Sequence, residues 1–481
     1  MKKIIVSLIL TATLVTSCVD NLKDYNIDQK RASSVPPATL FANAVRNLID
    51  VLNTPNVNTN NFRLYVQQWA TVTYTSEPRY DLTTRTIPQS FWQAIYRDVI
   101  ADLKEAKKVI TADALLAPGI KANQLAQIEV MELYSWSVLV NTFGNVPYSK
   151  AFDPANTLPD YDDAATVYSD LLGRLDAAIA ALSSISTGIP AASDLIYSGN
   201  IDRWIKFSNS LKLRLAMILA DKDAIKAQTL VQQAVTGGLL ASNTDNARHP
   251  FLATAPNNNL VSNNLVAPFT TRQDFVASKT IVDKMNTLND PRRIYYFNET
   301  APGVFVGGIN GDPNDFATTS HISDKITNPS FEALFMDYAE VEFLLAEAAE
   351  RGFIPGGAAT ARTHYNTAVT GSISYWGGTA AAATTYLAQA AVSYTTASGT
   401  YKQKIGEQKF LALNNRGYDA WIEWRRLDFP VLTPAAAGLN IPIRLIYPVS
   451  EQTQNGSSYA EAVSAMGGSD VTTVKLFWDI F

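Results

Sequence analysis

The sequence predicts a mostly α-helical protein built from helix pairs, with one loop-rich region set into it. Three observations carry that reading. The first is the stretch 334–351, LFMDYAEVEFLLAEAAER, where Leu334, Tyr338, Val341, Leu345 and Ala348 recur at three and four residues and share one stripe of a helix. Ala339, Ala346 and Ala349 let a neighbouring helix approach, while Glu340, Glu342, Glu347 and Glu350 fall mostly off the stripe and are expected to face water. Gly352 and Pro355 close the run, and 358–369 reads as a second helix, so the two predict a helix hairpin. The second observation is that similar apolar periodicity recurs along the chain. The third is the contrast with residues 237–330, rich in Asn, Pro, Gly and Thr, where only 278–288 reads clearly as helix. Long loops on a rigid scaffold commonly carry binding.

Composition sets the outer limits. The 481 residues are 47% hydrophobic and 17% charged, an ordinary globular balance with enough chain to bury a sizeable core. A net charge of −5 without a basic patch argues against nucleic acid as a partner. Cys18 is the single cysteine, so no internal disulfide can form, and with three histidines a structural zinc site is not expected. Lys2 and Lys3 precede an apolar run of about twelve residues, 4–15, too short for a span of roughly twenty. Thr16 and Ser17 before Cys18 resemble the lipobox of bacterial lipoproteins, which implies a signal peptide over 1–17 and lipidation of Cys18. Acyl chains hold a protein at a membrane through about 0.8 kcal/mol per buried methylene. Residues 18–37, polar and ending in Pro36 and Pro37, read as a tether, and 38–481 as a single domain with a loop-rich insertion over about 237–330.

Within that body, 38–52 is helical and 53–61, rich in Asn, Thr and Pro, is a loop. The stretch 62–74 starts as helix and leaves it before Pro78. A helix over 89–110 puts Trp92, Ile95, Val99, Leu103, Ala106 and Ile110 on one side, and another follows over 123–140. Pro147, Pro154 and Pro159 mark a loop that runs into Asp163, whose side chain can cap a helix over 164–182. Helices over 201–220 and 223–235 make the next pair. Beyond the insertion and the 334–351 hairpin come an Ala/Thr-rich stretch, 371–399, and a last long helix over 402–424. The repeated pairs resemble tetratricopeptide units, with irregular spacing.

The C-terminal third narrows the reading. The segment NRGYDAWIEWRR at 415–426, followed by Phe429 and Pro430, resembles a signature of SusD/RagB nutrient-binding outer-membrane lipoproteins, and more closely a SusD-like subgroup with an EWRR element. IPIRLIYPVSE at 441–451 with Asn455 and Tyr459, LNDPR at 288–292, NTFGNVP at 141–147, YAEVEFLLAEAA at 338–349 and the ending Phe477-Trp478-Asp479 are similar to that subgroup too. The resemblance implies a SusD-like fold, all-α for the most part, with tetratricopeptide-like helix pairs and a loop-rich ligand-binding surface. It also implies a lipid-anchored position on the outer face of the Bacteroidetes outer membrane, a SusC-like TonB-dependent transporter as partner, and an oligosaccharide or peptide as ligand. Physically, Asp419, Glu423, Arg425 and Arg426 fall at helical spacing and can pair locally or with Arg444, with the arginines reaching Glu451; we read them, with Asp290 and Arg292, as a structural network.

No nucleophile elbow, Walker loop, HExxH or dinucleotide glycine pattern is present, so an enzyme is not expected. His249, His321 and His364 stand apart from any catalytic arrangement. Residues 310–315 offer oxygens in a turn that lacks the spacing of a calcium loop; bound calcium there is the only cofactor the sequence leaves room for. Sugars offer a C–H face for stacking and hydroxyls for hydrogen bonds, so aromatic residues beside amides on loops are the candidates. Trp69, Tyr74, Arg79 and Tyr80 form one such group, Asn258, Asn263 and Arg272 (with Asn257, Asn259 and Asn264) a second, and Trp376 beside Tyr375 and two glycines a third. The leading expectation is a surface glycan-binding lipoprotein that serves a transporter. The alternatives are a peptide ligand anchored by Arg79 or Arg272, a surface glycoside hydrolase, and an assembly scaffold without a small ligand.

Overall fold

The computed structural model describes residues 35–481, so the signal peptide, Cys18 and nearly all of the tether lie outside the described residues. Helix α1 (Pro37–Asn53) turns Phe41, Val45, Leu48, Ile49 and Leu52 inward. After the short α2 (Phe62–Tyr65) and strand β1 (Trp69–Thr71), α3 (Ile87–Gln93), a π-helical segment (Ala94–Ile100) and α4 (Ala101–Ala112) run on without a break. The expected stripe from Trp92 to Ile110 is buried along its whole length, and it packs on α1. Helix α5 (Pro118–Phe143) pairs with α6 (Ala164–Ala181), and α7 (Ile201–Ile218) with α8 (Ala224–Gly237). Asp163, Asn200 and Asp223 cap three of these helices by accepting from the amides of Thr166, Arg203 and Lys226 at 2.9, 3.0 and 3.0 Å. Each such cap stabilises by about 1 kcal/mol.

The stretch 237–330 contributes only short elements: β2 (Ala247–His249), α9 (Leu260–Leu265), β3 (Phe275–Ala277), α10 (Lys279–Thr287) and α11 (Arg293–Tyr296). Antiparallel pairing stitches it to the scaffold. β3 lies on β1, with Trp69 opposite Ala277 and Thr71 opposite Phe275, and β2 lies on β4 (Ala333–Met336).

The expected helix hairpin is present as α12 (Tyr338–Glu350) and α13 (Gly357–Trp376), with two differences from expectation. Leu334 is not helical: it belongs to β4, and Asp337 starts the helix by accepting from the Glu340 amide at 2.8 Å. Glu340, Glu342 and Glu347 do not face water but are buried, because α12 packs against α7, α13 and, on a further side, α15 (Tyr401–Ala412). The Ala/Thr-rich stretch supplies α14 (Ala380–Leu387) between them.

Arginines make this burial possible. Glu340 meets Arg214 and Arg416, each at 2.6 Å, and Glu347 meets Arg426 at 2.6 Å and Arg351 at 2.7 Å. Burial alone would push Glu347 up, but Arg426 and Arg351 outweigh it and hold the carboxyl at about 2. Glu342 accepts from the His364 ring at 2.7 Å.

The last long helix is two helices, α15 and α16 (Gly417–Leu427). The break follows from a tertiary contact. Arg63, on α2, donates to the Asn415 and Asn53 carbonyls at 2.8 Å each, and Asn415 takes φ 67°. A Cβ on Gly417 would lie 2.6 Å from the Arg63 backbone nitrogen, so only glycine lets the chains cross there.

The EWRR residues form a buried network in which the expected local pair of Arg426 with Glu423 is present and the longer-range partners differ from those expected. Arg426 bonds Glu423 and Glu347, and Arg425 donates to the Ile443 and Asn141 carbonyls at 2.6 and 2.9 Å while lying 3.6 Å from the centre of the Trp421 ring. Arg444 pairs with Asp470 at 2.6 Å rather than with Asp419 or Glu423, and Glu451 accepts from Tyr161 instead of an arginine. Asp290 and Arg292 are buried as a bidentate pair. The chain finishes with α17 (Val449–Gln454) and α18 (Gly456–Ala465). Among the described residues, no helix is long and apolar enough to cross a membrane.

Candidate functional site

The β1–β3 ladder brings two stretches far apart in sequence side by side. Past the paired residues, the Val72 amide still donates to the Asp274 carbonyl at 2.9 Å. The two chains then diverge, and between them and the 55–58 loop opens a cleft of about 290 Å³. Its walls carry Tyr74, Glu77, Arg85, Asn264, Arg272 and Asp274, with Asn56 and Asn58 from the loop. Tyr74 is 50% exposed, and the Arg272 guanidinium stands 6.0 Å from the centre of its ring.

Charge in the cleft is paired off. Arg272 holds Asp274 at 2.6 Å, and Arg85 bonds the buried Glu77 while reaching the Asn58 carboxamide oxygen at 3.4 Å. What remains for a ligand is an aromatic face, three carboxamides and the outer edges of two guanidinium groups. Such a surface suits hydrogen bonding and stacking.

Two of the sequence-derived groups therefore meet, through Tyr74, Arg272 and Asn264, but several members turn elsewhere. Trp69 is 1% exposed, packed on Phe275 at 5.7 Å with the Arg63 guanidinium 4.9 Å from its ring, so it cannot stack on a ligand. Tyr80 packs inward on Tyr65, its hydroxyl accepts from the Ala435 amide at 3.0 Å, and burial raises its pKa. Arg79 braces the 310–315 turn, donating to the Gly311 carbonyl at 2.7 Å and pairing with Asp312 at 3.0 Å. That turn is also closed from within by the Asn314 carboxamide, which donates to the Ile309 and Asp312 carbonyls.

Asn258 is wholly buried, with its amide on Ser262 and Asn263, so both side chains serve the loop's own folding. Trp376 is also interior, edge-on to Tyr296 at 4.5 Å. Asn56, Asn58, Glu77 and Arg85 went unrecognised in the sequence. The Asn-rich composition of 53–61 was the one signal for the first two, and nothing local marks the other pair.

Comparison with known proteins agrees with this architecture. Residues 29–448 match the SusD-like family model described as "Starch-binding associating with outer membrane". Among solved structures, a chitin-binding protein is 24% identical, with a TM-score of 0.79 over 92% of this chain and 100% of its own. A SusD homologue from Bacteroides uniformis is 26% identical, with a TM-score of 0.77 over 92% and 99%. A chitin-binding SusD homologue from Flavobacterium johnsoniae is 23% identical, with a TM-score of 0.76 over 92% and 97%. No curated protein matches the chain. With the family model covering most of its length, the chain belongs to the SusD-like family of outer-membrane-associated proteins.

Proposed function

We propose that the protein captures oligosaccharides at the cell surface, held there by lipid on Cys18, and delivers them to a SusC-like TonB-dependent transporter without cleaving them. The observation that carries this reading is the Tyr74 cleft, an exposed aromatic face ringed by carboxamides. Family membership and two chitin-binding structural relatives support a glycan as ligand. The peptide reading draws less support, since Arg79 and Arg272, its would-be anchors for a carboxylate, are already paired with Asp312 and Asp274. Both cleft carboxylates sit against guanidinium groups, which favours binding over acid–base work.

The test is calorimetric titration with chitohexaose, maltohexaose and related oligomers, with product analysis of every mixture. Binding without cleavage that falls at least ten-fold in Tyr74→Ala is the expected result. Cleavage, or binding indifferent to Tyr74, would overturn it. Loss of metabolic lipid labelling in Cys18→Ala, and co-purification of a large outer-membrane barrel with the intact protein, test the anchor and the partner.

A further inference from the structure

A second concave surface shares no residue with the Tyr74 cleft. It lies between the π-helical segment Ala94–Ile100, the loop marked by Pro147, Pro154 and Pro159, and α17, and it encloses about 470 Å³. That volume falls in the range of formed ligand pockets. Its floor is aromatic. Trp92 and Tyr96 lie 4.7 Å apart and tilted by 34°, and Tyr96 and Phe152 lie 6.0 Å apart and tilted by 31°.

Two local departures from regular backbone set this floor. A π-helical turn, a rare device often found at functional sites, carries Tyr96. Phe152 takes φ 66°, a left-handed backbone that side-chain-bearing residues rarely adopt, and the residue is left 41% exposed.

The loop is held before any ligand arrives. Tyr96 donates to the Pro147 carbonyl at 2.6 Å, Asp162 accepts from the Tyr148 and Ser149 amides at 2.9 and 2.8 Å, and the Asn455 carboxamide donates to the Pro159 carbonyl at 2.8 Å. A preformed wall spares a ligand the cost of ordering it. The rim offers Asp153, Asn156, Gln454 and Glu451, whose second oxygen alone is taken by Tyr161, at 2.8 Å. Two carboxylates and no lysine or arginine line the groove. The Lys104 ammonium lies outside the lining, 5.5 Å from the centre of the Phe152 ring.

We propose that this groove is a second saccharide site, independent of the Tyr74 cleft, and that it takes neutral hexose units. Ring C–H faces rest on Tyr96 and Phe152, and hydroxyls donate to Glu451 and Asp153 or bridge the carboxamides. The same carboxylates repel uronic or sulfated sugars.

Hydrogen–deuterium exchange on the full chain reads the two sites separately, through peptides covering 147–159 and 70–86. The probes are saturating maltohexaose, cellohexaose, chitohexaose and mannohexaose, with tetragalacturonic acid and a proline-rich peptide as controls. The expected result is protection of 147–159 by at least one neutral oligomer and by neither control. Phe152→Ala should weaken that protection at least five-fold in half-saturating concentration, Phe152→Tyr should restore it, and protection at 70–86 should be unchanged.

Protection at 70–86 alone overturns this proposal and leaves the Tyr74 cleft as the site. Protection at 147–159 alone supports it and removes the Tyr74 cleft instead. Protection of 147–159 by the acid or the peptide only, or by no neutral oligomer, overturns it as well.

Discussion

Around α12, Arg214, Arg416 and Arg426 meet Glu340 and Glu347 with every side chain 10% exposed or less, whereas at the Tyr74 cleft Arg272 meets Asp274 with its side chain 63% exposed. The pairing chemistry is the same and the consequence is opposite. In the first region solvent cannot replace a missing partner, so each charge is bound to the fold. In the second, water screens the pair, so its contribution to stability is small and its outer edges remain open to a ligand.

The largest effect should come from breaking the buried set. Arg426→Ala leaves buried Glu347 with Arg351 and buried Glu423 with Lys409 as their remaining ion-pair partners, and is expected to cost about 3–5 kcal/mol in denaturant unfolding, or to abolish folding. A cost below 1 kcal/mol would erase the contrast. Trp69→Ala should cost a similar 3–5 kcal/mol, as a deleted core aromatic, while the folded fraction keeps its oligosaccharide affinity. A large loss of affinity at constant stability would return Trp69 to the site.

Acid should separate the regions too. Glu347 titrates at about 2 in the fold and near the ordinary value of about 4.3 when unfolded. A depressed carboxyl stabilises fully above its unfolded pKa, and that stability is lost as pH falls through the folded one. Unfolding free energy should therefore drop between about pH 4.5 and 2, by an amount on the order of 3 kcal/mol per such group, and melting temperature should fall with it, with a shallower slope in Glu347→Gln. His249 is pushed down to about 3 by burial, with Arg46 adding to the effect. It is neutral in the fold while the unfolded chain takes a proton, so a separate loss should begin near pH 6.5 and deepen as pH falls, and His249→Asn should flatten it.

At the cleft the order reverses. Tyr74→Ala is expected to weaken oligosaccharide binding at least ten-fold, about 1.4 kcal/mol, with stability unchanged within about 0.5 kcal/mol. Smallest of all, Asp274→Asn should shift stability by less than about 1 kcal/mol, and the shift should vanish in high salt.

Helix content was legible because apolar spacing is a local property. The stripe from Trp92 to Ile110 and the cap at Asp163 needed only neighbours a few residues away, and they stand as read. Errors came where a distant partner intervened. Asn415 looked like the middle of a helix, and Arg63 breaks it. Leu334 fitted a helical stripe, and β2 takes it as strand. The candidate site was half legible for the same reason. Aromatic and amide residues stood out by type, but Trp69 and Tyr74, only five residues apart, face the core and the solvent respectively.

By itself, then, the sequence determined the helical class, the order of the pairs, the irregular stretch and, through the motifs at 288–292, 338–349 and 415–426, the family. These depend on local periodicity and on residue identity. Only the tertiary structure decided which charges are interior, where the long helices break, and that the 69–74 and 272–277 segments adjoin across β1 and β3. Those outcomes rest on burial and on contacts between residues hundreds of positions apart, and a side chain's role follows from whether water or protein surrounds it.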